Sequence, residues 1–276
     1  MIKNNKIKVI IPLHNPGDYF DMCVNSVLTQ DYDNYEVLFI DDFSNDDSYN
    51  KIPACIYQTD DKNEPVRDEK GELIITEIHP ILEITKCLKV NAWKSSRRLT
   101  ALPNIHNAII NASTDPDDII FILYGDDWLS NKNVLKKINE IYNEKDCLMT
   151  YGSSKLTDGK KCYSTTYQEK EFPILRRITP KFSHPITFRK SLYDKFCQLD
   201  PKFEYFTDDK GEWFSTCSNY ALFYPLADLA GFEKTFHISD VMYFYNIDNP
   251  LNSEKINSDL YYDTLEIIQN KKQLKA

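Results

Sequence analysis

The chain has 276 residues, 42% of them hydrophobic, enough for one substantial α/β core or a core with a smaller lobe appended. Its formal charge of −9, from 33 basic and 42 acidic residues, argues against a general nucleic-acid binder, which needs a basic footprint to displace counterions, and suits an acidic enzyme that holds a cation. No 18 apolar residues run together, and the early apolar stretch meets a proline too soon for a signal segment, so no transmembrane segment and a cytoplasmic location are expected.

Residues 7–12, "IKVIIP", form a β-branched run closed by Pro12 and the turn-prone "HNPGD", which predicts a strand buried on both faces of a parallel sheet. After Asp18 as N-cap, Phe20, Cys23, Val24, Val27 and Leu28 recur at helical spacing and leave Asp21 and Asn25 outside. A second strand, "YEVLFI", runs into "DDFSNDDS", and a right-handed crossover puts Asp41 and Asp42 at the carboxyl edge, where open α/β sheets bind ligands. Residues 51–98 read as an insertion, with a hairpin turning at Lys70 and Gly71 and "ILEITKCLKVNAW" open between strand and helix. Pro103 starts a helix, "PNIHNAIINAS", and the strand "IIFILY" follows. Val134, Leu135, Ile138, Ile141 and Tyr142 mark an amphipathic helix, and "CLMTYGSS" a further strand. Beyond it, "PITFRKSLYDKF" and "EWFSTCSNYALFYPLADLAG" read as helices, the latter interrupted near Pro225. Two short strands, "FHIS" and "VMYFYN", and a polar helix end the chain. The seven cysteines are scattered, with no CxxC pair to suggest zinc, and read as reduced thiols.

Two strands thus end in acidic pairs, Asp41 with Asp42 and Asp126 with Asp127, and a parallel sheet would bring both to one crevice. Their repulsion needs a compensating positive charge, which a magnesium or manganese ion supplies while keeping positions open for substrate phosphates. Aspartate, serine and asparagine are also ordinary turn residues, so "DDFSNDDS" alone is equally a solvated loop. "YGDDW" is more pointed, because a glycine and a tryptophan flank the pair after an apolar strand. Asp42, Ser44 and Asp46 have the spacing of a calcium loop, but Asp47 stands where that loop needs glycine and no glutamate falls at its twelfth position. Two-metal phosphohydrolases usually add histidine ligands, which neither acidic loop contains.

The stretch "VIIPLHNPGDYFDMCVNSVLTQDYDNYEVLFIDDFSNDDS" closely resembles the opening of family 2 glycosyltransferases, and "NIHNAIINAS" with "DDIIFILYGDDWLS" resembles their helix and metal-binding strand. The resemblance covers residues 6–51 and 102–142 well and the rest loosely. It implies an α/β GT-A fold, a Rossmann-like, mostly parallel sheet flanked by helices, with a helical extension on the acceptor side. Residues 1–150 would be the nucleotide-sugar half of a single domain and 151–276 the acceptor half. The implied activity is inverting transfer of a sugar from a UDP-sugar to a glycan or other hydroxyl acceptor, with a divalent cation, Mn or Mg. Pro12, His14 and Asn15 would line the base pocket, Asp41 would sit beside them, and Asp42 would accept a hydrogen bond from uracil. Asp126 would hold the ribose or the metal, Asp127 the metal bridging the two phosphates, and Arg97 or Arg98 the pyrophosphate. The family's base is an acidic residue at the start of an acceptor-side helix, where the register of "NYALFYPLADLAG" puts Asn219; Asp209, with Asp208 beside it, is the replacement expected, and Trp213 a sugar platform. A further departure is Tyr124, where the family commonly has the first metal-motif aspartate. The Asn-, Lys- and Tyr-rich composition points to an AT-rich genome, such as that of a large DNA virus. Two other functions stay open: a nucleotide-sugar-binding protein that has lost turnover, and a nucleotidyltransferase, which would want a Gly-rich loop after the first strand where only Gly17 is present.

Overall fold

The computed structural model describes residues 3–53, 55–57, 66–71, 74–162 and 164–275. In chain order, β1 (Ile7–Leu13), α1 (Phe20–Leu28) and β2 (Tyr35–Asp41) form the opening crossover. Next come β3 (Cys55–Tyr57), β4 (Ile75–Ile78), α2 (Pro80–Ile84) and β5 (Lys89–Lys94). The segment α3 (Ala101–Ala112), β6 (Ile119–Ile122), β7 (Trp128–Leu129) and α4 (Val134–Lys145) carries the second acidic pair between β6 and β7. The later part holds β8 (Met149–Leu156), β9 (Lys161–Cys162), β10 (Ser183–Arg189), α5 (Lys190–Leu199), α6 (Ser218–Ala230), β11 (Thr235–Tyr245), α7 (Ser253–Ile256) and α8 (Ser258–Asn270).

One nine-stranded sheet runs in the order β5-β2-β1-β6-β10-β8-β11-β7, with β9 paired to β8. Strands β5, β2, β1 and β6 are parallel, β10 is antiparallel to both its neighbours, and β8 and β11 are again parallel. The parallel character expected from sequence therefore belongs to the first half, and the second half is mixed.

Side chains alternate across the strands, so each strand feeds two cores. Ile7, Val9, Ile11 and Leu13 of β1 face the layer of α1 and α4, while Ile10 faces the layer of α3, α5 and α6. Strands covered on both faces are mostly apolar, which is why "IKVIIP" carries no period-two pattern beyond Lys8. Each large side chain buried this way contributes roughly 1.5–3 kcal/mol.

Several expectations change. The stretch "PITFRKSLYDKF" is a strand and then a helix: Ile186, Thr187 and Phe188 pair with β6 on one side and β8 on the other, and α5 starts only at Lys190. Their β-branched and aromatic side chains suit a central strand better than a helix. Helix α6 begins at Ser218, six residues later than read, and continues through Pro225, which costs about 3 kcal/mol in a helix interior. Burial of Ala221, Leu222, Phe223, Tyr224, Leu226 and Ala227 around that proline offsets the cost. "FHIS" and "VMYFYN" are one strand, β11, whose register against β8 shifts on either side of Val241. The ambiguous "ILEITKCLKVNAW" holds both structures, α2 and then β5, so the supposed insertion ends by supplying the edge strand of the sheet. Gly71 turns with φ of 84°, and β3 pairs antiparallel with β4; residues 58–65 and 72–73 of that hairpin lie outside the described residues.

Candidate active site

The carboxyl ends of β1, β2 and β6 open into a cleft of about 210 Å³, closed on the far side by the start of α6 and by the chain after β11. Pro12, Leu13, His14 and Pro16 line it from β1, Asp42 from β2, and Tyr124, Gly125, Asp126 and Asp127 from β6. Gly125 is required by close approach: a Cβ there would lie 2.5 Å from Leu13 Cβ. The backbone bends sharply around the cleft, with positive φ at Asn15, Phe43, Thr100 and Cys217. Strain of this kind is held only where surrounding contacts over-determine it.

Asp42 is buried and fully engaged, its Oδ1 accepting from Leu99 N–H at 2.7 Å and its Oδ2 from Thr100 N–H at 2.8 Å. It fixes the loop that carries Arg98, an exposed cation lining the cleft. Nδ1 of His14 lies 2.9 Å from the Asp42 carbonyl oxygen, and Nε2 lies 3.2 Å from Asn15 Nδ2. Two expected pocket residues are not among those lining the cleft. Asn15 turns to the loop after β2, its Oδ1 accepting from Asn45 N–H at 2.8 Å, and fully buried Asp41 accepts from Ser44 N–H at 3.1 Å. Arg97 also lies outside the lining.

Asp126 and Asp127 answer the repulsion between them with donors from the far end of the chain. Asp127 Oδ2 accepts from Tyr243 Oη at 2.6 Å and Oδ1 from Asn246 N–H at 2.7 Å. Asp126 Oδ2 accepts from Asn249 Nδ2 at 2.7 Å. Burial raises both carboxyls, and the Asp126 charge pushes Asp127 higher still. Tyr124, in the place of a third acid, shares a 2.7 Å hydrogen bond with Ser218 Oγ at the start of α6, and burial keeps its phenol neutral.

The cleft is also lined by Ser218, Asn219, Asn249 and Asn252, with His184 from β10 and Tyr245 from β11. The structure does not bring Asp208 and Asp209 there. They sit on a separate turn between Thr207 and Trp213, where Asp208 Oδ1 accepts from the N–H groups of Lys210 and Glu212, each at 2.9 Å. Those backbone donors hold the Asp208 carboxyl below its usual range. The aspartate, glycine and lysine of "FTDDKG" are turn chemistry. Trp213 packs against His106, Phe203 and Phe206 and does not line the cleft either.

Sequence reasoning missed Tyr243, Asn246, Asn249 and His184. A signal for the first three was available in "YFYNIDN": alternating tyrosines run into asparagines at a strand end, as at the two acidic pairs. His184 had none, because its strand was read as a helix.

No group of three or more His, Cys, Asp or Glu that could hold a metal occurs among the described residues. The acidic pair nevertheless fits a hard divalent cation, which takes one or two carboxylates and completes its shell with water and substrate phosphates. Both Asp127 oxygens already accept hydrogen bonds, so Asp126 is the better-placed ligand. Among the described residues no helix is long and apolar enough to cross a membrane, and the described cysteine side chains are free thiols.

A family model described as Glycosyl transferase family 2 matches residues 8–72. The uncharacterized glycosyltransferase YibD of Escherichia coli (strain K12) is 46% identical over 48 residues, 17% of this chain and 14% of that protein. Glycosyltransferase GlyG of Streptococcus pneumoniae is 38% identical over 52 residues, 19% of this chain and 17% of that protein. S. aureus TarS 1–349 in complex with UDP-GlcNAc superposes with a TM-score of 0.56 at 14% identity, over 87% of this chain and 58% of that one. The mannosyltransferase PcManGT from Pyrobaculum calidifontis, in complex with GDP-Man and Mn2+, gives 0.53 at 14% identity over 88% and 57%. The chain thus spans a small part of the curated relatives and under two thirds of these solved chains, and at such identities the superpositions show the fold. Residues 8–72 thus match the model of glycosyltransferase family 2, and the sheet has the GT-A fold.

Proposed function

We propose that the chain binds a nucleotide sugar, a UDP-sugar in the first instance, and transfers its sugar with inversion to a hydroxyl acceptor such as a glycan. The observation that carries the reading is the convergence of Pro12, His14, Asp42, Arg98, Asp126 and Asp127 on one cleft at the carboxyl edge of parallel strands. Arg98 would meet the diphosphate and His14 the base. Asp42 acts on the nucleotide indirectly, through the loop it fixes, because its own oxygens are engaged. Asp126, with Asp127 behind it, would hold a manganese or magnesium ion. When bound, that ion supplies positive charge to the departing diphosphate, an effect worth several kcal/mol.

An inverting transfer also needs a group that takes the acceptor proton. Asn219 lines the cleft at the start of α6, and an amide cannot take a proton. This observation favours a second reading, a nucleotide-sugar-binding protein with impaired turnover. Release of free nucleotide from a panel of nucleotide sugars, with and without manganese, tests both. Manganese-dependent release supports the transferase. Tight binding without release, relieved about 10²-fold by Asn219→Asp, supports impairment. Absence of any binding refutes the donor cleft itself.

A further inference from the structure

His184 is 6% exposed and lines the cleft; its Nδ1 is sealed in the interior with no hydrogen-bond partner, which leaves Nε2 as the nitrogen that a ligand can reach. Its ring is held on three sides by aromatic neighbours, with centroids 4.8 Å from Tyr243 and 6.1 Å from Tyr245, both stacked, and 5.5 Å from Tyr124, edge-on. Close packing behind it adds to this. A Cβ on Gly152 would lie 2.6 Å from Pro185 Cδ and 3.2 Å from the His184 carbonyl oxygen, so only glycine lets β8 approach the start of β10 this closely. A polar ring fixed this firmly, yet left unpartnered in the one cleft that carries the acidic pair, calls for a partner outside the protein.

We propose that His184 is a specificity-determining residue that hydrogen-bonds a hydroxyl of the donor's sugar ring. The inference rests on the nucleotide-sugar reading of the cleft and deepens it by naming the sugar contact. Burial lowers the imidazole to about 4, so at neutral pH it is uncharged and offers one donor and one acceptor. A neutral imidazole in a cleft also lined by Asp42, Asp126 and Asp127 suits an uncharged sugar and disfavours one bearing a carboxylate. The contact is assigned to the sugar because the proposed function gives the base to His14 and the diphosphate to Arg98.

The test is titration calorimetry with manganese, using UDP, UDP-glucose, GDP and GDP-mannose as probes, on wild type, His184→Phe and His184→Gln. Phenylalanine keeps the stacked ring and removes both nitrogens; glutamine keeps polar atoms. Melting temperatures check that both variants are folded. The expected result is that His184→Phe binds the nucleotide diphosphate as wild type does and binds the matching sugar nucleotide about 5- to 30-fold more weakly, with part of the loss recovered in His184→Gln. Equal losses for the diphosphate and the sugar nucleotide, or no loss for either, overturn the proposal. Wild type that binds none of the four overturns the donor reading beneath it, a distinct result.

Discussion

Asp42 separates what the residue pattern implies from what the geometry does. By the resemblance to family 2 it would accept a hydrogen bond from uracil, and Asp42→Ala would weaken the nucleotide by about 1–3 kcal/mol. In the structure both oxygens accept backbone N–H groups, from Leu99 and Thr100, so Asp42→Ala strips two charge-assisted hydrogen bonds. At roughly 1.5–3 kcal/mol each, these bonds amount to about 3–6 kcal/mol. Two effects return part of that. Thr100 sits at φ of 73°, where a non-glycine residue costs about 1–3 kcal/mol, and a loop freed from Asp42 relaxes. Opening the loop also returns the orphaned N–H groups to water. The expected net loss is about 1–3 kcal/mol in stability, accompanied by weaker nucleotide binding because Arg98 rides on the same loop. Urea unfolding gives the first quantity and calorimetry with UDP and manganese the second. A variant with wild-type stability and lost nucleotide affinity would refute the anchoring role and restore Asp42 to the base.

Gly125→Ala should destabilise by about 1–3 kcal/mol in urea, since its Cβ meets Leu13 Cβ and Cα, atoms that cannot swing aside; an unchanged midpoint would show that β1 and β6 can part without cost. The acidic pair sets a pH dependence in metal-free protein. Folding raises Asp126 and Asp127 above their unfolded values, so their contribution is fully present below the ordinary carboxylate range and is lost as pH rises through the raised values. Asp127→Asn should therefore flatten the fall in melting temperature above about pH 4, read by thermal scans in chelator. Parallel curves for variant and wild type would place the destabilising charge elsewhere.

The first half of the chain was legible because its signals are local. The run "IKVIIP" could only be a buried strand, "FDMCVNSVL" could only face a core with Phe20, Cys23, Val24, Val27 and Leu28, and turn residues then deliver Asp42 and Asp126 to the sheet edge. The second half was less legible because its elements are decided by partners distant in sequence. Residues 183–189 pair with β6 and β8, more than 60 and more than 30 residues away in the chain respectively, and nothing within the heptapeptide names those partners. Asp208 and Asp209 misled for the same reason in reverse. Their composition suits either a catalytic loop or a plain turn, and only the Thr207 to Trp213 bridge decides for the turn.

Distance along the chain also explains how two adjacent aspartates come to do different work. Asp126 and Asp127 lie in the turn between β6 and β7, and each finds its own partners. Asp127 is turned toward β11, where Tyr243 and the Asn246 N–H take one oxygen each, and Tyr243 in turn accepts from the Tyr124 N–H at 3.2 Å. Asp127 thus joins the two halves of the sheet across the cleft floor. Asp126 meets a single side chain, Asn249, on the segment that closes the cleft. An asparagine amide exchanges a carboxylate oxygen for a cation more readily than a backbone N–H and a buried phenol do together, because the segment bearing it lies outside the sheet. Of the pair, Asp126 is therefore the less firmly held and Asp127 the more firmly held.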